Sequence, residues 1–315
     1  MPTATIDLPV SYEALELTHI KLSHYPLGGS SVTPVVLITL NRPEKNNAFT
    51  PQMADSLTQV FNLFHIDRRV KAVVLTGAGR MFCAGSDLEI GFGNGGGRAV
   101  DFRDMFTSGG RVALAMHRCH KPTIVALQGS AVGVGMTMTL PAAIRICHEK
   151  SKYGFVFTRR GLTIESCASY FLPRLVGFSK AMHLITTGGV YPPQNQYFGD
   201  LFTEVLPDAA QVLPRALKLA QDIAENVSPL ASSMSRALMW EGPCSPEEAH
   251  LLESRVFHHM VGQSDYKEGV GSFLEKRKAQ FETDPREDCP SDFPWWPETK
   301  ISLEPSASKG SSSKL

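Results

Sequence analysis

Lys121-Pro122-Thr123-Ile124-Val125-Ala126-Leu127, followed by a glycine turn from Gly129 to Gly135, is the stretch on which the fold turns. Thr123–Leu127 is a short apolar run of the kind that makes a buried strand. The glycines that follow allow a tight turn, and the apolar segment Met136–Ala143 reads as a helix leaving it. Further on come Tyr153-Gly154-Phe155, the pair Arg159-Arg160, and Gly161-Leu162-Thr163-Ile164-Glu165-Ser166. Glu165 is the sole carboxylate between Glu149 and Gly177. A strand, a glycine turn into a helix and one isolated acid among apolar residues suit an acid/base site.

Outward from that stretch, strands alternate with helices. Val35–Leu40, Ala72–Thr76 and Ile144–Cys147 read as strands, with shorter ones at Ile20–Leu22 and Phe202–Leu206. Thr50 and Pro51 have the chemistry of a helix N-cap and first helical position. Behind them Met53, Leu57, Val60, Phe61 and Phe64 share one helical face. Asp101–Cys119 reads as a helix, as does Ser179–Thr186 with Ser179 as its cap. Beyond residue 206 helices dominate: Leu213–Val227, Pro229–Met239, Pro246–Met260, and Asp265–Lys278 with Asp265 as cap. The fold class is therefore α/β with a helical C-terminal region. The expected divisions are an N-terminal extension (1–29), a core (30–206), a helical region (207–282) and a Pro/Ser-rich tail (283–315).

A chain of 315 residues can bury a sizeable core. Its 31 Lys and Arg balance 31 Asp and Glu, so no global field draws it to nucleic acid. No run approaches the roughly 18 apolar residues that span a bilayer, and no secretory signal opens the chain. Six cysteines are widely spaced without a C-x-x-C pair, which argues against a metal or redox centre and for reduced thiols. The last three residues, Ser313-Lys314-Leu315, form the address read by the peroxisomal import receptor. The Ser-rich run from Glu304 is expected to leave it accessible, so peroxisomal localisation is the expectation.

Four segments, in this order, resemble the crotonase, or enoyl-CoA hydratase/isomerase, superfamily. They are Leu40-Asn41-Arg42-Pro43-Glu44-Lys45-Asn46-Asn47-Ala48, Phe82-Cys83-Ala84-Gly85-Ser86-Asp87-Leu88, Lys121 through Gly135, and Gly154 through Gly177. A fifth, Glu268 through Arg277, is similar to the family's C-terminal helix. The resemblance implies a spiral of repeated ββα units with C-terminal helices for trimerisation, giving a trimer or a dimer of trimers. It also implies acyl-CoA thioester substrates, coenzyme A being carried as part of the substrate rather than as a separate cofactor.

The family shares one device, a pair of backbone N–H groups that hold the thioester oxygen as it becomes an enolate. By motif position these are Ser86 and Val134. Donors aimed at developing charge stabilise the transition state more than the ground state, at roughly 2.7–4 kcal/mol each. A helix opening at Val134 would add its positive end. The resemblance further places Arg42, Lys45, Asn47, Ala48, Ala84, Gly85, Asp87, Leu88 and Gly133 along the thioester and coenzyme A, with Lys276 assisting, and basic side chains suit the phosphates. Taken alone, Asp87 and Glu89 read as solvated loop carboxylates, Lys276 and Arg277 equally well as solvated helix charge, and Arg159, Arg160, His120 and His148 as structural.

Typical hydratases of the family use two glutamates. Here the matching positions hold Thr137 and Phe157, neither of which is an acid. Glu165 lies in Ile164-Glu165-Ser166-Cys167-Ala168-Ser169-Tyr170, which is similar to the segment carrying the single catalytic glutamate of peroxisomal Δ3-Δ2-enoyl-CoA isomerases. One acid suits proton transfer from C2 to C4, acting as base and then as acid. Apolar neighbours at Phe155, Phe157, Ile164 and Phe171 suit that exchange, since burial disfavours the charged form. The bland alternative puts Glu165 in a first helical turn, where acids are ordinary. Four readings of function follow: double-bond isomerisation in fatty-acid β-oxidation, hydration of a 2-enoyl-CoA by Glu165 alone, an acyl-CoA step in secondary metabolism, and a catalytically silent CoA-binding subunit.

Overall fold

The computed structural model describes residues 7–28, 31–90, 108–297 and 299. Of the helix expected over 101–119, the part before Ser108 lies outside the described residues, as does the terminal Ser313-Lys314-Leu315. Among the described residues, six strands form the main sheet in the order β1 (Ile20–Tyr25), β2 (Val35–Leu40), β3 (Ala72–Gly77), β4 (Thr123–Leu127), β6 (Ile144–His148) and β9 (Glu204–Leu206). β1 runs antiparallel to β2, with Ile20 opposite Leu40, and the remaining pairs are parallel. Residues 20–25 thus belong to the sheet and are part of the core rather than an extension from it. β3 and β4 are buried at every position, and their unbroken apolar runs follow from burial on both faces.

A second layer gives the ββα repeat its form. β5 (Ala131–Val132) pairs with β7 (Tyr153–Gly154), which pairs in turn with β8 (Val190–Tyr191). Isolated bridges join Phe49 to Ser86 and Cys83 to Ala131, extending this layer. Each main-sheet strand from β2 to β6 is therefore followed by a short segment in the second layer. After the first three of these come α1 (Pro51–Ile66), α2 (Ser108–Arg118) and α3 (Val134–Thr137). After β7 the chain makes a turn and enters α4 (Ala168–Val176) and α5 (Phe178–Thr187). α6 (Ala209–Asn226) lies flat on the outer face of the sheet, where Ala216, Ala220 and Ala224 meet Val74, Ile124 and Ile146. Small side chains at that spacing let helix and sheet approach closely. The inner face is filled by large ones, among them Leu57, Phe61 and Phe64 of α1.

Local chemistry explains most element ends. Thr50 Oγ1 accepts from Met53 N at 3.0 Å and Pro51 occupies the first turn of α1, as expected. α3 is far shorter than the Met136–Ala143 run suggested. Pro141 has no N–H to continue a helix, and the Arg145 guanidinium from β6 collects the carbonyls of Thr139, Leu140 and Ala142 at 3.1, 3.2 and 2.7 Å. Burial pushes that guanidinium down to about 10, so the carbonyls serve as its solvation shell. α5 begins at Phe178 behind Gly177, the single residue between α4 and α5, whose φ of +82° breaks one helix from the next, so Ser179 is inside the helix rather than its cap.

α7 (Pro229–Glu241), α8 (Pro246–Val261) and α9 (Ser264–Glu275) have a small core of their own around Leu230, Met234, Leu252 and Val256. Asp265 does not cap α9, because Gln263 holds that place. Its buried carboxylate instead accepts from Ser228 Oγ at 2.6 Å, Thr283 Oγ1 at 2.5 Å and Glu282 N at 3.0 Å. That acid ties together the start of α7, α9 and the chain beyond. Leu251, Phe257, Phe273 and Leu274 of α8 and α9 stay exposed.

Candidate active site

The two glycine turns meet at the C-terminal edge of the main sheet. Gly85 has φ +92° and Gly133 φ +56°, conformations that glycine adopts without a Cβ penalty. A Cβ on Gly135 would stand 2.7 Å from Cys83 O and one on Gly85 3.2 Å from Val132 O, so glycine is what lets these backbones touch. The Phe49–Ser86 bridge is made by Phe49 N to Gly85 O at 2.8 Å and Asp87 N to Phe49 O at 2.9 Å. With its neighbours turned toward Phe49, Ser86 directs its own N–H the other way. Val134 is the first residue of α3, where an N–H has no intrahelical acceptor. Among the described residues neither N–H has a recorded acceptor, whereas Gly133 N, Met136 N and Thr137 N are all engaged. α3 is a single turn with a small dipole, so the donors themselves, rather than a helix field, would hold an oxyanion.

Residues 42–49 buttress this cradle. Arg42 Nη1 donates to Asp87 Oδ2 at 2.9 Å and to Ala48 O at 2.7 Å. Asp87 is 7 % exposed and ion-paired, not the solvated loop carboxylate expected from sequence, and its hydrogen bond from Arg42 lowers its pKa. The buried Asn47 accepts from Arg42 N and donates to Ala78 O and Met81 O, at 2.9, 2.8 and 2.8 Å. Ala84 N reaches Asn46 O at 3.1 Å. Arg42 and Asn47 therefore turn their polar atoms inward and fix the Ser86 loop. Lys45 is exposed with Glu89 at 2.7 Å, and Leu88 is exposed beside them. Lys276 ends α9 with φ +55° and is not joined to this cluster within the chain.

Glu165 stands three residues before α4, whose N-cap is Cys167, so it is not in a helical first turn. Ser166 and Cys167 both have φ +57°, a left-handed pair that non-glycine residues rarely adopt. Ser166 Oγ donates to Glu165 Oε1 at 2.7 Å. Oε2 is buried and has no hydrogen-bond partner among the described residues. The carboxylate lies against Gly109 of α2, where a Cβ would fall 2.6 Å from both of its oxygens. Burial, and then the Glu165 charge, push the neighbouring Cys167 thiol up. Thr137 is fully buried, its hydroxyl without a partner among the described residues, and Phe157 is buried; neither side chain is an acid.

Arg159 Nε donates to Thr187 O at 2.9 Å, His148 Nδ1 lies 3.1 Å from Ser151 Oγ, and His120 Nδ1 lies 2.7 Å from Ser233 Oγ, all structural contacts. Sequence reading missed Gly109 and Ser166. The pair Gly109-Gly110 inside a helical pattern was the available signal, since glycine there costs helix stability and marks a packing need.

Stacked ββα units with an open N–H pair at the glycine turns define the architectural class, a spiral α/β fold. Residues 31–284 match the family described as enoyl-CoA hydratase/isomerase, and the chain belongs to that family, as an acyl-CoA enzyme of this type. It is 44% identical over 259 residues to "Enoyl-CoA hydratase AFT3-1" of Alternaria alternata, covering 82% of this chain and 86% of that one. It is 29% identical to the "1,2-epoxyphenylacetyl-CoA isomerase" of Escherichia coli over 82% and 97% of the two chains. The solved enoyl-CoA hydratase of Bacillus anthracis shares the fold, with a TM-score of 0.73 at 24% identity, over 84% of this chain and 100% of that one.

Proposed function

We propose that the chain moves the double bond of a 3-enoyl-CoA to the 2-position, with Glu165 as the single acid/base and the Ser86 and Val134 N–H groups holding the thioester oxygen. The observation that carries this reading is the Glu165 carboxylate, one oxygen held by Ser166 and the other buried without a partner. Oε2 takes the proton from C2 as the bond electrons move toward the carbonyl, giving an enolate whose oxygen the two N–H groups stabilise. The same oxygen then returns the proton at C4, so the acid ends as it began and no redox cofactor or metal is required.

A second reading is supported by relatives at 43% and 44% identity that are named enoyl-CoA hydratases. In it Oε2 activates water for attack on C3. The discriminating assay follows 3-enoyl-CoA loss and 2-enoyl-CoA hydration side by side, with Glu165→Gln as control. Isomerisation should fall at least about 100-fold in that variant, in line with a lost general acid/base. Unchanged isomerisation would sink the assignment, and hydration running much faster than isomerisation in the wild type would favour the second reading.

The proposal extends to place and assembly. Ser313-Lys314-Leu315 supports peroxisomal import, with β-oxidation or a secondary-metabolite pathway as the setting. Deleting those residues from an N-terminally fluorescent fusion should leave it in the cytosol; unaltered peroxisomal fluorescence would refute that part. The exposed Leu251, Phe257, Phe273 and Leu274 support burial of α8 and α9 in a homo-oligomer.

A further inference from the structure

On the opposite edge of the main sheet, before β3 and β4 begin, lies a cavity of about 240 Å³ lined by Arg68, Lys71, Lys121, Pro229 and residues 281–284. At roughly 30 Å³ per water it has room for about eight waters. Lys121 lines this space and is 4% exposed as a residue; among the described residues its ammonium makes no hydrogen bond or ion pair within the chain and opens onto the cavity. A cation held in a recess of this kind draws in an anion. Asp284, which lines the same space, is already bound by Arg286 at 2.9 Å and Arg68 at 3.5 Å. Among the described residues Lys71 Nζ meets only the Phe281 carbonyl, at 3.2 Å. Glu282 lies at the exposed rim.

Neighbouring groups report the same positive excess. His65 and His120 stack with centroids 4.4 Å apart, and burial pushes them down to about 4 and about 3, with the charges of Lys121 and Arg236 adding to the effect in each. α7 also begins at this cavity, with Pro229 in its first turn, and so presents its positive end. Cations from the loop before β3, the loop before β4 and a helix start thus converge on one space.

We propose that this cavity binds a phosphate-sized oxyanion, inorganic phosphate or a phosphate monoester, with Lys121 as its buried ligand and Lys71 and Arg68 at the mouth. The site is separate from the glycine turns and does not depend on the reaction assigned to them. Thermal unfolding of the full chain at constant ionic strength tests it, phosphate against chloride, with 31P line width as a direct measure of binding. At a hundredfold excess over Kd, phosphate should raise Tm by about 5 °C or more. Lys121→Met should abolish the rise and the 31P broadening while leaving enoyl-CoA turnover unchanged, and Lys71→Met should weaken binding about tenfold. Should the Lys121 variant fail to fold, the wild-type 31P signal and the Lys71 variant decide the matter. Tighter binding of glycerol 3-phosphate than of phosphate makes the ligand a monoester, and the reverse order makes it the free anion. Equal effects of phosphate and chloride on the wild type, or unaltered phosphate binding in Lys71→Met, would overturn the proposal.

Discussion

Gly109→Ala is expected to separate activity from stability. A Cβ at Gly109 would lie closest to Ser166 Oγ and 2.6 Å from both carboxylate oxygens of Glu165, whereas ordinary contact begins at 3.4 Å. Relieving these contacts moves the Ser166 hydroxyl and, by about 0.8 Å, the carboxylate it holds, the scale on which misplacement of a reacting group costs on the order of 100-fold in rate. The helix itself gains at most about 0.8–1.0 kcal/mol, the advantage of alanine over glycine in a helix interior, Gly109 being the second residue of α2. That gain and the local strain roughly offset, so Tm should stay within about 4 °C of the wild type. Steady-state turnover of a 3-enoyl-CoA should show kcat reduced about 100-fold with KM changed little, because the groups proposed to lie along coenzyme A are on other loops. A kcat within twofold of the wild type would refute the placement of the acid. A Tm collapse of more than about 10 °C would show that the backbone, not the carboxylate, has to yield.

Two further outcomes follow from the same geometry and from the buried imidazoles. Ser166→Ala removes the 2.7 Å hydrogen bond to Oε1 and should lower kcat about 10- to 100-fold, as loss of a bond to a charged group does; retention of full kcat would show that Ser166 does not orient the acid. Burial holds His65 and His117 at about 4 and His120 at about 3. In the unfolded chain they titrate near 6.5, so as pH falls the unfolded state binds protons first. Stability should be whole above pH 6.5 and decline down to about 4, by on the order of 2 kcal/mol per imidazole at pH 5. Urea midpoints between pH 8 and 4.5 measure this, and a flat profile from pH 7 to 5 would contradict it.

What the sequence makes legible here is what neighbours in the chain decide. Thr50 and Pro51 cap α1 using only Met53, three residues on, and the reading survives intact. β4 is apolar at every position because it is covered on both faces, and its run is visible without knowing what covers it. The bounds of α3 are not legible, since its end depends on Arg145 from the following strand. Asp265 shows the same limit: a helix-start acid by local rules, it is claimed by Ser228 and Thr283 from distant segments. Asp87 looks solvated until Arg42 is placed beside it. At the site, the glycines that shape the N–H pair are visible as a pattern. Gly109, which leaves space for the carboxylate, acquires meaning only when α2 is packed against residue 165.

Family membership supports the proposed thioester cradle more firmly than it selects the reaction. Both isomerisation and hydration pass a negative charge onto the thioester oxygen, so an N–H pair serves either. The number of carboxylates does not separate them alone, since one acid can exchange a proton with water as well as with C4. The difference lies in what must be held. A hydratase has to orient a water against C3, which takes a second polar group beside the base, and at positions 137 and 157 this chain offers a buried hydroxyl and a phenyl ring. The Thr137 hydroxyl has no partner among the described residues, so it is available to such a water, but it cannot accept the water's proton. An isomerase needs only that one carboxylate oxygen reach both C2 and C4 in an apolar setting. Glu165, with Oε1 tied to Ser166 and Oε2 buried without a hydrogen-bond partner among the described residues, suits that smaller requirement.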